Sequence, residues 1–232
     1  TAPPSAGFTM VVPYKTFQMS ADFSTGWFAN GERAWHGEGV VTEGTLPAGE
    51  AFEKANALFT VEKRELQLPT HVEDTNADGY LPGRVVYQPT GSYGLVRTDT
   101  QTLLGIVTQQ YEIVQNDALL RMAEFIREEV EMDTVVVLKE GARVAFTAKI
   151  KGAEAHVRPN DPVYSRIVGY LGHDGKSGCG AIFTNVRVVC SNTMAAAERS
   201  SNQVSIRHKN GANANFERLI TSIDCARRNF QD

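Results

Sequence analysis

The chain has 232 residues, of which 42% are hydrophobic and 22% are charged, a composition that excludes disordered and fibrous proteins. It lacks the roughly 20 consecutive apolar residues of a membrane-spanning helix and shows no basic segment followed by an apolar run, so we expect neither a membrane span nor a signal peptide. Its three cysteines form no C-x-x-C pair, which favours free thiols and a cytoplasmic location.

The net charge of −4 is unevenly distributed along the chain. Residues 21–138 carry 8 Lys/Arg against 19 Asp/Glu, whereas residues 139–232 carry 14 against 8. A basic C-terminal portion suits an anionic partner such as nucleic acid. A solvated surface with chance clustering of charges explains the same numbers equally well.

Residues 1–50 are rich in Gly, Pro and Ala and show little periodicity, which predicts an extended arm. Its aromatic side chains indicate that the arm packs on its own domain or on a neighbouring subunit, and we expect a homo-oligomer formed through it. These aromatic residues are Phe8, Tyr14, Phe17, Phe23, Trp27, Phe28 and Trp35. Residues 51–232 are predicted to form a single domain, with a helix over 49–64 and a loop over 69–83.

From residue 84 onward, short β-rich runs alternate with polar turns. The predicted strands are 84–88, 95–97, 103–108, 111–114, 134–139, 143–149, 163–171, 181–190 and 204–208. The predicted helices are 116–131 with Asn116 as its N-cap, 191–198, and 215–230 with an apolar stripe. The expected fold class is therefore α+β, an antiparallel sheet built from hairpins with a central helix and a C-terminal helix, preceded by the arm.

Motifs for catalysis, cofactors and metals are weak in this sequence. The run Gly172–Gly180 imitates a phosphate loop but lacks its spacing and lies between two strands, so we interpret it as a hairpin tip. The five histidines (His36, His71, His156, His173 and His208) are scattered, and we expect no metal site and no cofactor. An enzyme remains an open alternative, with His173 beside Cys179 or Asp174 as its first candidate site.

Basic residues in the second half of the chain are interleaved with tyrosines, a pattern that can hold phosphates and stack bases. The candidate nucleic-acid-binding residues are Lys149, Lys151, Arg158, Arg166, Lys176, Arg187, Arg207, His208 and Lys209, with Tyr164 and Tyr170. The alternative is that the aromatic rings face the core and that the charges are unrelated to a ligand.

Four short blocks carry a resemblance to a known family. They are Trp35-His36-Gly37 with Gly39, the run 104–107 leading to Tyr-Glu-Ile-Val-Gln-Asn at 111–116, the run 184–194 (TNVRVVCSNTM), and Arg207-His208-Lys209. In this order they resemble the DUF932 family, also called phage/plasmid-like proteins. Met194 replaces the leucine of the third block, and the acidic segment 70–80 departs from the family pattern.

This resemblance implies a phage, prophage or plasmid setting but no established activity. The strand–hairpin–helix order with a basic sheet is also similar to Rad52-like single-strand annealing proteins, and fold alone does not fix function. The first hypothesis is therefore an oligomeric protein that binds and anneals single-stranded nucleic acid, with no membrane partner. The second is a structural or interaction protein of a phage, such as a virion component or a host-factor binder, that does not bind nucleic acid.

Overall fold

The computed structural model describes residues 23–32, 34–72, 75–76, 79–80, 84–158, 161–199 and 202–228, with 75–76, 79–80, 155–158, 161–162 and 224–228 described by backbone only. In chain order the strands are β1 (Phe23–Phe28), β2 (Val40–Val41), β3 (Val61–Val72), β4 (Thr75–Asn76), β5 (Gly79–Tyr80), β6 (Arg84–Arg97), β7 (Leu103–Val107), β8 (Val130–Leu138), β9 (Arg143–Arg158), β10 (Asp161–Gly172), β11 (Cys179–Thr184) and β12 (Gln203–Ile206). The helices are α1 (Ala48–Lys54), α2 (Asn116–Phe125), a 3₁₀ turn (Lys139–Gly141), α3 (Ser191–Glu198) and α4 (Ala212–Arg228).

A seven-stranded sheet with the order β12-β11-β10-β9-β8-β1-β2 forms the centre of the fold. Its neighbours pair antiparallel except β1 and β2, which pair parallel. A second, three-stranded sheet has the order β3-β6-β7. The α+β class and the antiparallel hairpins expected from the sequence are confirmed.

Both faces of the large sheet are buried, because successive side chains of a strand point to opposite faces. In β8, Val135 and Val137 join one core cluster, whereas Val136 and Leu138 join the other. The first cluster includes residues of α1, α2 and α4, and the second includes α3 and residues 188–190. The sheet is thus the middle of three layers, which explains why the second half of β8, residues 135–138, is a continuous apolar run.

The hairpin of β3 and β6 is a long two-stranded ribbon whose outer part leaves apolar side chains exposed. Leu68 is 58% exposed, Val85 43% and Tyr87 63%. The pairing of Pro69 with Tyr87 and of His71 with Val85 places these four residues on one face of the ribbon. Residues 69–72, predicted as a loop, are therefore strand.

Several predicted boundaries are wrong for local reasons. The helix predicted over 49–64 ends at Lys54, since Asn56 adopts a left-handed φ of 52° and the chain then enters β3. The helix predicted over 116–131 ends at Phe125, because Val130 already belongs to β8. Residues 111–114 are irregular, and the strand predicted over 181–190 ends at Thr184.

The predicted arm also differs from the structure where it is described. Residues 23–28 and 40–41 are strands of the large sheet, and Trp27 and Phe28 are fully buried there. Phe8, Tyr14 and Phe17 lie outside the described residues. Among the described residues, no helix combines the length and the apolar character needed to cross a membrane.

Candidate nucleic-acid interface

The strand register separates the predicted basic residues into two groups at opposite ends of the large sheet. Gly172 pairs with Arg143 at one end, next to the turn 173–178, whereas Arg166 pairs with Lys149 towards the other. Six residues of β10 separate these positions, a distance of about 20 Å. We call these the turn end and the far end of the sheet.

At the far end, the cations surround a buried carboxylate. Asp133 is 1% exposed and occupies an irregularity between Met132 and Thr134, where a bulge can re-aim a side chain. Its Oδ2 lies 3.0 Å from Nε of Arg166, and its Oδ1 lies 2.9 Å from Nε of Arg187. The two guanidinium groups are therefore paired inside the protein.

Backbone carbonyls and a second carboxylate contact further donors of these cations. Nη1 of Arg166 donates to the carbonyls of Tyr164 and Asn185, and Nη1 of Arg187 lies 3.1 Å from the Glu32 carboxylate. Lys149 stacks its ammonium over the Tyr164 ring at 4.5 Å. Arg166 and Arg187 thus join strands and loops of the fold, and their roles in holding phosphates stay predictions.

Two other predicted residues, Tyr170 and Lys151, also have contacts within the fold. Tyr170 is only 4% exposed, and burial raises the pKa of its hydroxyl, so its ring is part of the core and cannot stack on a base. Lys151 donates a hydrogen bond from Nζ to the carbonyl of Glu128. The side chain of Arg158 lies outside the described residues.

At the turn end, three exposed cations converge on one groove of about 600 Å³. Lys176 comes from the turn between β10 and β11, and Arg207 and Lys209 come from the segment after β12. Among the described residues, none forms an ion pair with any of the three. The other wall includes Ile106, which is 60% exposed, and Tyr111. We call this site the basic groove.

The turn that carries Lys176 is held by Asp174. The Asp174 carboxylate accepts hydrogen bonds from the backbone N–H groups of Lys176 and Ser177 and from the Ser177 hydroxyl. Burial acts to raise its pKa, but these hydrogen bonds outweigh burial and lower it. Gly105 of β7 packs directly on the Asp174 backbone, where any Cβ would collide. The groove is therefore fixed by contacts between both sheets.

The segment before α2 fixes the opposite wall of the groove. Glu112 accepts hydrogen bonds from the backbone N–H groups of Gly211 at 2.6 Å and Asn213 at 3.0 Å, which cap the start of α4. Hydrogen bonds from Asn213 lower the pKa of Glu112. The ring of His208 stacks on Tyr111 with centroids 4.8 Å apart. Glu112 and Asp174, the carboxylates beside the groove, are thus engaged in internal hydrogen bonds.

The alternative catalytic pair has the properties of core residues. His173 is fully buried, its Nε2 lies 2.8 Å from Oδ1 of Asn116, and burial lowers its pKa to about 3. Burial raises the pKa of the Cys179 thiol to about 12, whereas a reactive cysteine needs an accessible thiolate. The Asn116 side chain, predicted as an N-cap, also donates to the carbonyl of Phe59.

Among the described residues, no cluster of His, Cys, Asp and Glu is suited to a metal.

Sequence reasoning missed the polar and aromatic wall of the groove. Gln110, Tyr111 and Ser177 line it, and none of them is a candidate on charge alone. Tyr111 begins the block 111–116 that carries the family resemblance, which was the available signal. Of the predicted residues, Lys176, Arg207, His208 and Lys209 are brought together here.

The comparisons with known proteins agree with the resemblance of the three later blocks, whereas the first block, at 35–39, lies outside the matched residues. The model of the family described as "Domain of unknown function (DUF932)" matches residues 103–232, more than half of the chain. No curated protein and no solved structure matches the chain, so the similarity to Rad52-like annealing proteins has no support from a known fold. The match includes β7 to β12 and α2 to α4, and therefore most of the basic groove. The chain belongs to the DUF932 family of domains of unknown function.

Proposed function

We propose that the protein binds single-stranded nucleic acid through the basic groove. The observation that carries this proposal is the convergence of Lys176, Arg207 and Lys209, which are exposed and have no ion-pair partner among the described residues. Exposed cations without an ion-pair partner attract phosphates, because no internal carboxylate has to be displaced. The cations at the far end lack this property, since Asp133 and Glu32 already neutralise them.

The composition of the groove favours a single strand over a duplex. Exposed Ile106 and the Tyr111 ring offer apolar contact surface beside the cations. Unpaired bases present their faces to such surfaces, whereas a duplex keeps them stacked inside. Contacts to phosphates and base faces carry little sequence preference, which suits a strand-annealing protein. We further propose that annealing involves an oligomer, formed through the N-terminal segment expected from the sequence.

Binding to labelled single-stranded oligonucleotides at several salt concentrations tests the proposal. Three phosphate contacts predict a slope of about −2 for log affinity against log salt, which is about a 20-fold loss between 50 and 200 mM. The variant Lys176→Ala/Arg207→Ala/Lys209→Ala should lose most of this slope. A matched control removes three exposed cations on the helical side, Lys54→Ala/Arg127→Ala/Arg218→Ala. Equal losses in the two variants would show that net charge, and not the groove, governs binding.

The ribbon of β3 and β6 favours a second candidate function, that of an interaction protein. An isolated two-stranded ribbon is marginally stable in water, and this one exposes Leu68, Val85 and Tyr87. Contact with another protein would remove these side chains from water. Stable complexes that form without nucleic acid and dissociate in Leu68→Thr/Tyr87→Thr would support this function. A wild-type protein that remains monomeric and captures no partner counts against it.

A further inference from the structure

His208 is one of the residues that line the basic groove. A positive charge on its ring would attract an anion bound there. Its side chain is only 6% exposed, and one face of the ring is covered by Tyr111. It follows β12 and stands between Arg207 and Lys209, two of the three groove cations. Protonation of His208 would therefore add a fourth positive charge to the same site.

The hydrogen-bond environment of His208 fits its charged form. Nδ1 lies 3.1 Å from the carbonyl oxygen of Glu112, so Nδ1 must carry a proton. Nε2 is buried and has no hydrogen-bond partner among the described residues. The carbonyl of Gly172, which accepts a hydrogen bond from the Tyr111 hydroxyl, also favours the charged ring. The ring therefore has one nitrogen paired with a carbonyl and one buried nitrogen, Nε2, that is left for a further acceptor such as a phosphate oxygen.

Burial opposes this charge in the absence of a ligand. Burial lowers the pKa of His208 and outweighs the favourable effects of the two carbonyls and of the Asp174 and Glu112 carboxylates. His208 is therefore neutral in the free groove at neutral pH. A phosphate a few ångströms from the ring would favour the imidazolium and offset part of the desolvation.

We infer that His208 takes up a proton when a phosphate of single-stranded nucleic acid binds in the basic groove, so that affinity increases as the pH falls. This inference rests on the proposed function. The other ionisable groups around the ring are the cations Lys176, Arg207 and Lys209, the carboxylates Asp174 and Glu112, and His173. Hydrogen bonds lower the pKa of both carboxylates, and burial lowers the pKa of His173 to about 3, so none of these three changes its charge between about pH 5 and 8. Phosphodiesters also do not titrate in this range.

The test measures the affinity for a labelled oligothymidylate of about 20 nucleotides at constant ionic strength from about pH 7.5 to 5.5. One linked proton can change the affinity by at most tenfold per pH unit, and we expect binding to tighten about 10-fold over this range. His208→Asn keeps an N–H donor for the Glu112 carbonyl but cannot titrate, so its affinity should not vary with pH. His71→Asn, on the exposed ribbon, is the control and should keep the wild-type dependence.

The outcomes separate this inference from the proposed function. Binding that is tight at every pH but independent of pH overturns the proton uptake and leaves nucleic-acid binding intact. A dependence that persists in His208→Asn assigns the proton to another group and also overturns the inference. No binding at any pH refutes both.

A second measurement uses only the unaltered protein, in case His208→Asn does not fold. Titration calorimetry in two buffers with different ionisation enthalpies counts the protons taken up with the oligonucleotide. We expect an uptake of a sizeable fraction of one proton near pH 6.5, close to the ordinary pKa of histidine. Zero uptake across the range would refute the role of His208.

Discussion

Replacement of Asp133 tests the conclusion that the far-end cations stabilise the fold. Asp133→Asn keeps the size of the side chain but removes the charge between Arg166 and Arg187, whose side chains are 11% and 15% exposed. Removing one partner of a buried ion pair costs about 3–5 kcal/mol. Because backbone carbonyls still hold both guanidinium groups, we expect a loss near the lower limit, about 3 kcal/mol.

Urea denaturation of wild-type protein and Asp133→Asn measures this loss directly. Asp117→Asn is the matched control, because Asp117 forms an exposed ion pair with Arg121 at the i,i+4 spacing of a helix. Exposed pairs of this kind contribute about 0.2–1 kcal/mol. If the two variants unfold at similar urea concentrations, the far-end network does not stabilise the fold, and Arg166 and Arg187 become candidates for ligand binding again.

Three further predictions follow from single contacts. Glu112→Gln should lower the free energy of unfolding by about 1 kcal/mol at neutral pH, because it loses a charged cap on α4. Since the pKa of Glu112 is lowered in the folded protein, the wild-type advantage should disappear as the pH falls through that lowered pKa, which urea titrations at several pH values would show. Gly105→Ala should cost about 1–3 kcal/mol because its Cβ meets the Asp174 backbone, whereas Gly44→Ala, with open space around it, should change the urea midpoint little. The thiol of Cys179, buried and with a pKa of about 12, should resist alkylation at mildly alkaline pH until the protein unfolds. Rapid labelling of Cys179 itself in the folded protein would contradict this.

The sequence predicted elements best where a local signal determined them. The hairpin around Glu140-Gly141 was predicted because two β-rich runs flank a turn, and β8 and β9 confirm it. The helix from Asn116 was predicted too long because Ile126 and Val130 continue its apolar spacing. Both are buried, but Val130 reaches the core from a strand. Because residues of the helix and of the strand are buried in the same core, the apolar spacing does not show where the helix ends and the strand begins.

The candidate site was only partly predictable, because the sequence does not show which cations are paired. Asp133 lies 33 residues from Arg166 and 54 from Arg187, so their ion pairs depend on tertiary structure. The division between the two ends of the sheet depends on the register of β9 and β10, which includes an irregularity between Tyr164 and Arg166. No local pattern determines either feature.

The position of β1 has a consequence for how the chain folds. Phe23 pairs with Leu138, so β1 joins the large sheet only across more than 100 residues of chain. Such long-range pairing raises contact order and slows folding. During synthesis, β1 cannot pair with β8 until β8 has left the ribosome. A fragment limited to residues 103–232 would leave the β8 edge uncovered, and exposed, flat apolar edges promote aggregation. The N-terminal strand β1 therefore covers a sheet edge that the part of the chain matched by the family model would otherwise expose.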